Sequence, residues 1–139
     1  MSENTTDNSN DLKEIVLAKE EDKHYSSSKF QELENIVKNF LAKQDTDSTL
    51  KSLTLWALNL WSSDVHYDNN IDDIIVRFRI DGVLVDIFHL EKKHYKLFLE
   101  RLKHSSNLKL NITHIPQDGK YSLDFYESKS DVRVSTLPT

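Results

Sequence analysis

Arginine is scarce in this chain, which makes its positions informative. Of the basic side chains, 14 are lysines and only 4 are arginines. A planar guanidinium presents its N–H donors in a fixed fork that matches phosphate oxygens, and it can stabilise charge that develops on a transferred phosphoryl group. Because lysine would solubilise the surface equally well, an arginine within a predicted strand indicates that geometry matters there. Three arginines lie in predicted strands: Arg77, Arg79 and Arg133.

A second set of polar residues could contact a ligand or a neighbouring subunit. Strand alternation places Asp64, His66 and Asp68 on one side of a short strand. Such a face could form a subunit interface or border a ligand cleft, or it could be the solvated face of an edge strand. Carboxylates and an imidazole also suit zinc or magnesium. A lone histidine between two aspartates is common by chance, however, so no metal site is predicted.

Glycine use bears on whether the chain holds a phosphate-binding loop. The chain has two glycines, Gly82 and Gly119, and each is predicted to lie in an Asp-Gly turn. A phosphate-cradling loop needs closely spaced glycines followed by lysine and a hydroxyl residue, so that backbone N–H groups can wrap a polyphosphate. Here the Gly-Lys pair is followed by Tyr121, and His114 occupies the earlier glycine position. The sequence contains no such loop, and this chain alone is not expected to hydrolyse ATP.

Charge and composition divide the chain into three parts. Residues 1–28 are polar and acidic and are predicted to be disordered, with a docking segment in residues 12–17 as the alternative. Residues 29–47 form a helix and a linker, and residues 48–139 form the folded part. The net charge of -5 resides in the first 47 residues. The remaining residues have no excess of basic side chains, so nucleic-acid binding is not predicted. No apolar run approaches the ~20 residues needed to span a bilayer, so direct membrane insertion is not expected.

Apolar residues at helical spacing predict three helices. The first covers residues 29–43, and the second starts near Ser48, with Asp47 or Ser48 as its N-cap. The second helix carries a wide apolar stripe that includes Trp61, and it is expected to be sandwiched between other elements. A third amphipathic helix is predicted over residues 91–104.

The strongest turn signal is Asp81-Gly82, which is flanked by alternating apolar residues and predicts a two-residue β-hairpin turn. The expected pairs are Ile80 with Val83, Phe78 with Val85, Val76 with Ile87, Arg79 with Leu84, and Arg77 with Asp86. A second hairpin is predicted from strands over residues 121–126 and 131–136. The predicted fold class is α+β, a mixed sheet of hairpins packed against two or three helices, with a disordered acidic N-terminal tail.

Four short motifs stand in a defined order along the chain. They are Ser-Asp-Val-His at 63–66, Val-Arg-Phe-Arg-Ile-Asp-Gly-Val-Leu at 76–84, Ile-Pro-Gln-Asp-Gly-Lys at 115–120 and Asp-Val-Arg-Val-Ser-Thr-Leu-Pro-Thr at 131–139. Together they resemble the type II secretion and type IV pilus assembly ATPases, the hexameric motors of bacterial secretion systems. The resemblance covers about residues 48–139 and matches the accessory domain that precedes the motor's nucleotide-binding core. It implies a P-loop core after Thr139.

The resemblance implies roles for individual residues. In that family, arginines of the accessory domain reach the nucleotide held by the core, which implies phosphate contacts by Arg79, Arg133 and Arg77. For Arg77 the alternative is a cross-strand ion pair with Asp86, worth well under ~1 kcal/mol if exposed. An interface or cleft role is expected for six further residues: Asp64, His66, Asp68, Gln117, Asp118 and Lys120.

The resemblance also implies cofactors, partners and a location. ATP and Mg²⁺ are expected only with the missing core domain, and no cofactor is expected for this chain alone. The implied partners are the following P-loop core, the neighbouring subunits of a homohexamer and an inner-membrane platform protein. The implied location is the cytoplasm, peripheral to the inner face of the cytoplasmic membrane. The implied function is to couple ATP hydrolysis to protein secretion or pilus assembly.

Three departures from the family pattern leave a second function class open. His114 stands where a basic residue is usual, Lys120 replaces an arginine and loses its bidentate fork, and Trp61-Ser62 replace small residues. A divergent motor would show such changes, and so would a family member that no longer hydrolyses ATP. The alternative is a stand-alone, non-catalytic interaction module that binds and modulates such a motor or its membrane platform.

Overall fold

The structure is a computed structural model that describes residues 11–12, 27–125 and 128–138. Its elements in chain order are α1 (Ser27–Ala42), α2 (Thr46–Asn59), β1 (Asp64–Asn69), β2 (Asp73–Ile80), β3 (Val83–Glu91), a 3₁₀ turn (Lys92–His94), α3 (Tyr95–Ser105), β4 (Gln117–Phe125) and β5 (Ser128–Thr136). Strands β1, β2 and β3 form one antiparallel sheet in that order, and β4 and β5 form a second. The predicted α+β class is confirmed. The chain divides into two compact units, residues 1–93 and residues 94–139.

Most of the predicted tail, residues 1–28, lies outside the described residues. Within that stretch Asp11 and Leu12 are helical, and the Leu12 side chain is buried. Helix α1 begins at Ser27. None of the helices in the described part of the chain is long and apolar enough to cross a membrane.

Buried apolar side chains join the two helices of the first unit to its sheet. Leu33 and Phe40 of α1 are fully buried, as is Trp56 of α2. The Trp56 ring stands edge-to-face against Phe30 of α1, with centroids 5.0 Å apart, and against Phe78 of β2, with centroids 5.9 Å apart. Buried residues cover a wide face of α2 and leave one stripe unburied, at residues 47, 51, 54 and 58.

Both ends of α2 differ from the prediction. The N-cap is Asp45 rather than Asp47 or Ser48, because the Asp45 carboxylate accepts a hydrogen bond of 3.1 Å from the Ser48 backbone N–H. At the other end the helix stops at Asn59, and Trp61 takes a left-handed backbone conformation (φ 57°) in which it is 63% exposed. The prediction that Trp61 lies on the buried stripe is wrong, because the chain leaves the helix before that residue.

The β2–β3 hairpin has the predicted turn and most of the predicted register. Four expected pairs form: Ile80 with Val83, Phe78 with Val85, Arg79 with Leu84, and Arg77 with Asp86. The fifth pair is wrong, because Val76 lies opposite Phe88 and a β-bulge leaves Ile87 as an extra residue in β3. The bulge lets two consecutive apolar residues, Ile87 and Phe88, both be buried. Simple alternation does not allow this arrangement.

The second unit pairs one helix with a two-stranded ribbon whose strands are longer than predicted. Helix α3 begins at Tyr95 rather than at residue 91, because strand β3 continues to Glu91. Strand β4 starts four residues before the predicted boundary, and β5 starts three residues before it. Leu123 of β4 and Val134 of β5 are buried, as is Phe98 of α3.

Gly119 is a strand residue, so the predicted turn at Asp118-Gly119 is wrong. Gly119 lies within β4, opposite Val134 of β5. A Cβ at this position would lie 2.6 Å from the backbone oxygen of Ser106 and 2.8 Å from Cδ2 of Leu108. Glycine is therefore needed here because the strand passes close to the end of α3, and not because the chain turns.

The change Gly119→Ala should destabilise the protein through this clash. The nearest atom is a backbone oxygen that cannot rotate away, so overpacking should cost about 1–3 kcal/mol of unfolding free energy. Urea denaturation followed by circular dichroism measures the loss. The matched control is Gly82→Asn, because Gly82 has φ 81° with open space around it. Asparagine adopts that backbone more readily than most residues, so the control should cost less than Gly119→Ala. Equal stability of the two variants would contradict the close-approach explanation.

Candidate functional site

Arg77 joins all three strands of the first sheet. From β2, its Nη1 donates a hydrogen bond of 2.6 Å to Asp68 of β1, and its Nε donates one of 2.7 Å to Asp86 of β3. The pKa of Arg77 is raised above its ordinary value by the hydrogen bond to Asp86 and then by the one to Asp68. The guanidinium is charged at physiological pH with or without this shift, because arginine is protonated there in any case. These contacts match the ion-pair alternative stated for Arg77.

Arg79 stands one pair closer to the turn on the same face. Its Nε donates a hydrogen bond of 2.7 Å to Asp64 of β1, and its Nη1 donates one of 3.2 Å to the carbonyl oxygen of Gly82. The Arg79 side chain is 35% exposed. In this arrangement Arg79 holds the start of β1 against the hairpin turn, and two of its nitrogens, Nε and Nη1, are already engaged.

The predicted polar side of β1 is used by these two ion pairs. Asp64 and Asp68 each accept a hydrogen bond from an arginine of β2, and between them His66 lies opposite Arg77 in the strand register. The His66 Nε2 atom is 3.9 Å from the Asp64 carboxylate. Among the residues that the structure describes, no group of three histidine or acidic side chains could hold a metal ion.

The β4–β5 ribbon brings other predicted residues together. One face carries alternate residues of both strands, in opposing pairs: Asp118 with Ser135, Lys120 with Arg133, Ser122 with Asp131, and Asp124 with Lys129. The Ser135 hydroxyl donates a hydrogen bond of 2.6 Å to Asp118, and the Ser122 hydroxyl donates one of 3.4 Å to Asp131. The pairs on either side of the Lys120–Arg133 pair are therefore each closed by a serine hydroxyl and a carboxylate.

Lys120 and Arg133 form a cross-strand pair of two cations. Both side chains are exposed, and neither forms an ion pair with any described carboxylate. Like charges directly opposite each other in a sheet are destabilising, so this pair costs folding free energy that a bound anion would recover. Side chains opposed in this way can both reach one phosphate group. The structure thus brings together two predicted site residues that are 13 positions apart.

Gln117 and Asp118 were both expected at an interface or cleft, but the structure gives Gln117 internal partners. Its Oε1 accepts a hydrogen bond of 2.9 Å from the Lys109 N–H, and its Nε2 donates bonds of 3.0 Å to the carbonyl oxygens of Lys109 and Ile112. The side-chain amide therefore closes the loop that precedes β4. Asp118 is exposed and hydrogen-bonded to Ser135.

Sequence reasoning missed Lys103, which is only 3% exposed. It lies in the last turn of α3, and its Nζ donates a hydrogen bond of 2.9 Å to the same Ile112 carbonyl oxygen that Gln117 contacts. The helical spacing held a signal, because Lys103 follows Tyr95 and Leu99 at successive steps of four on the predicted apolar face. A lysine at such a position departs from the pattern.

The fork of Arg77 should matter to stability more than its charge. Arg77→Lys keeps the charge but loses the fork whose Nε and Nη1 bond Asp86 and Asp68, so we expect a lower urea midpoint than that of the unaltered protein. The matched control is Arg133→Lys, which changes an exposed arginine without a carboxylate partner in the described residues and should cost almost nothing. Urea midpoints compare the two. Equal losses would show that the bridge contributes nothing.

The chain is similar to proteins of bacterial secretion systems. The family model described as type II/IV secretion system protein matches residues 41–139. The putative type II secretion system protein E of Escherichia coli (strain K12) is 41% identical over 83 residues, which are 60% of this chain and 17% of the relative. The type II secretion system protein E of Aeromonas hydrophila is 38% identical over 78 residues, 56% of this chain and 16% of the relative.

A third relative is the type II secretion system ATPase E of Vibrio cholerae, 35% identical over 83 residues, or 60% of this chain and 16% of the relative. The chain thus spans about one sixth of the length of the curated relatives it matches. The family model covers well over half of the chain, including the β1–β3 sheet and the β4–β5 ribbon. The chain belongs to the type II/IV secretion system protein family.

Proposed function

We propose that residues 48–139 are the accessory domain of a secretion or pilus assembly motor ATPase. Within it, the Lys120–Arg133 pair contacts the phosphates of a nucleotide that a P-loop core domain holds. The observation that carries the proposal is the direct opposition of two exposed cations with no described carboxylate partner. Arg133 supplies a planar fork that fits phosphate oxygens, and Lys120 supplies a point charge. The flanking Asp118 and Asp131 are already hydrogen-bonded to serines.

Arg77 and Arg79 are weaker candidates for a phosphate contact than the Lys120–Arg133 pair. Arg77 has two carboxylate partners within 2.7 Å, so its proposed role is to hold the three strands of the sheet together. Arg79 has one carboxylate partner and lies beside the turn. Its phosphate contact remains part of the proposal, with Nε and Nη1 of the guanidinium already engaged by Asp64 and Gly82.

Membership of the type II/IV secretion system protein family supports a wider proposal. ATP and Mg²⁺ act only together with the P-loop core, and neighbouring subunits complete a homohexamer in the cytoplasm. There the motor contacts an inner-membrane platform protein and couples ATP hydrolysis to secretion or pilus assembly. Within this assembly the polar face of Asp64, His66 and Asp68 belongs to an interface or cleft.

One observation favours the alternative of a non-catalytic interaction module. Trp61 replaces a small residue of the family pattern and is 63% exposed, in a backbone conformation that glycine adopts more easily. Exposed aromatic residues often anchor protein–protein contacts. The gene decides between the two functions: codons after Thr139 that encode a glycine-rich loop ending in Gly-Lys-Ser or Gly-Lys-Thr support the motor, and a stop codon supports the module.

The phosphate proposal predicts that the chain binds tripolyphosphate at the ribbon. In an ¹⁵N-labelled sample, the amide signals of residues 119–121 and 132–134 should shift on titration. Lys120→Ala and Arg133→Ala should each weaken binding by about five-fold, which corresponds to about 1 kcal/mol for a charge-assisted contact. Lys129→Ala is the matched control, because it removes the same charge from the same face two pairs away. Equal weakening by the control would show diffuse charge attraction and contradict the site.

A second prediction applies to a protein that carries these residues ahead of a P-loop core. Arg133→Lys and Arg79→Lys keep the charge but remove the fork, and each should lower kcat about ten-fold or more while ATP affinity changes little. Steady-state hydrolysis and nucleotide binding separate the two effects. Lys129→Ala again serves as the control and should leave turnover unchanged. Unaltered turnover in both lysine variants would leave this domain with a structural role only.

A further inference from the structure

Lys103 is a buried cation without a carboxylate partner among the described residues. The side chain is 3% exposed, and its Nζ donates a hydrogen bond of 2.9 Å to the carbonyl oxygen of Ile112. Removing an ammonium group from water is costly unless it is paired and hydrogen-bonded. An apolar side chain of similar length would fill the same space at a lower free-energy cost. A lysine here needs an explanation other than packing.

The contact of Lys103 is part of a network that closes the loop between α3 and β4. The Ile112 carbonyl oxygen accepts hydrogen bonds from both Lys103 Nζ and Gln117 Nε2. The Gln117 amide also bonds the backbone N–H and carbonyl oxygen of Lys109. On the helix side, the backbone N–H of Leu108 donates a hydrogen bond of 2.8 Å to the Lys103 carbonyl oxygen. Lys103 thus holds the middle of the loop through its side chain and the start of the loop through its backbone.

This network ends next to the cation pair. Gln117 is the first residue of β4, Gly119 lies against the Ser106 carbonyl oxygen, and Lys120 follows directly. Lys120 in turn fixes Arg133 by strand pairing. The position of Lys120 and Arg133 relative to α3 therefore depends on the contacts of other residues. Those residues do not themselves reach an anion bound by the pair.

We propose that Lys103 and Gln117 are positioning residues, which fix the first residues of β4 against the end of α3 and so set where Lys120 and Arg133 meet a phosphate. The inference rests on the proposed phosphate role of that pair. It gives Gln117 a role inside the fold instead of a direct contact in the cleft. It also explains the buried ammonium, because only a long hydrogen-bond donor reaches the Ile112 carbonyl oxygen from α3.

The test compares three variants by tripolyphosphate titration of the ¹⁵N-labelled chain. Lys103→Met keeps the length of the side chain and loses the donor, while Gln117→Met loses the three amide contacts without changing the charge. Each should raise the dissociation constant at least about three-fold, since a site whose support is loosened loses its preorganisation. The backbone N–H of Lys109 donates a hydrogen bond to Gln117 Oε1, and its hydrogen should exchange faster with solvent in both variants. Lys96→Met is the matched control, because it removes an exposed cation of the same helix.

The outcomes separate the positioning role from its alternatives. Weaker binding and faster Lys109 exchange in both variants, with the control unchanged, support the proposal. If the unaltered chain binds tripolyphosphate and both Lys103→Met and Gln117→Met bind it equally well, the positioning role is overturned. If Lys103→Met fails to fold, the charge-neutral Gln117→Met decides alone. Absence of binding by the unaltered chain contradicts the proposed phosphate site, and the positioning role toward it falls with that site.

Discussion

Antiparallel pairing decides which charges meet in this protein. Each hairpin puts alternate residues on one face, so the residue opposite an arginine follows from the register alone. In the first sheet, pairing and its diagonals bring Arg77 to an aspartate on each side and Arg79 to one aspartate of β1. In the ribbon, the same rule brings Arg133 to Lys120. Arginines of the first sheet thus form ion pairs within the sheet, whereas Arg133 of the ribbon lies opposite a second cation.

The ribbon has support that a bare two-stranded hairpin would lack. Two isolated strands are only marginally stable in water. Here the Gln117 amide and the Lys103 ammonium both bond Ile112 of the loop before β4, and Gly119 of β4 lies in close contact with the end of α3. The polar face can remain exposed and charged because the opposite face and the preceding loop fix the strands. The ability to present two cations thus comes from contacts on the other side of the ribbon.

The success of the sequence-based predictions depended on whether the controlling interaction was local. The Asp81-Gly82 turn is encoded by neighbouring residues, and it correctly predicted the register as far as Arg77 and Asp86. The register beyond them depends on the bulge at Ile87, which follows from burial of two adjacent apolar residues. The Gly119 prediction failed for a similar reason, since glycine serves a tertiary contact with Ser106 there. The arginines were found from their scarcity, whereas their partners depend on pairing between strands.

Both tryptophans of the chain lie in the first unit, where they can be followed by fluorescence. Trp56 is fully buried between helix and sheet, Trp61 is largely exposed, and both precede residue 94, where the second unit begins. The chain has no other tryptophan. Emission from Trp56 therefore reports on the aromatic contacts with Phe30 and Phe78, while a quencher in solution reaches Trp61 directly. The ribbon that carries Lys120 and Arg133 contains no tryptophan.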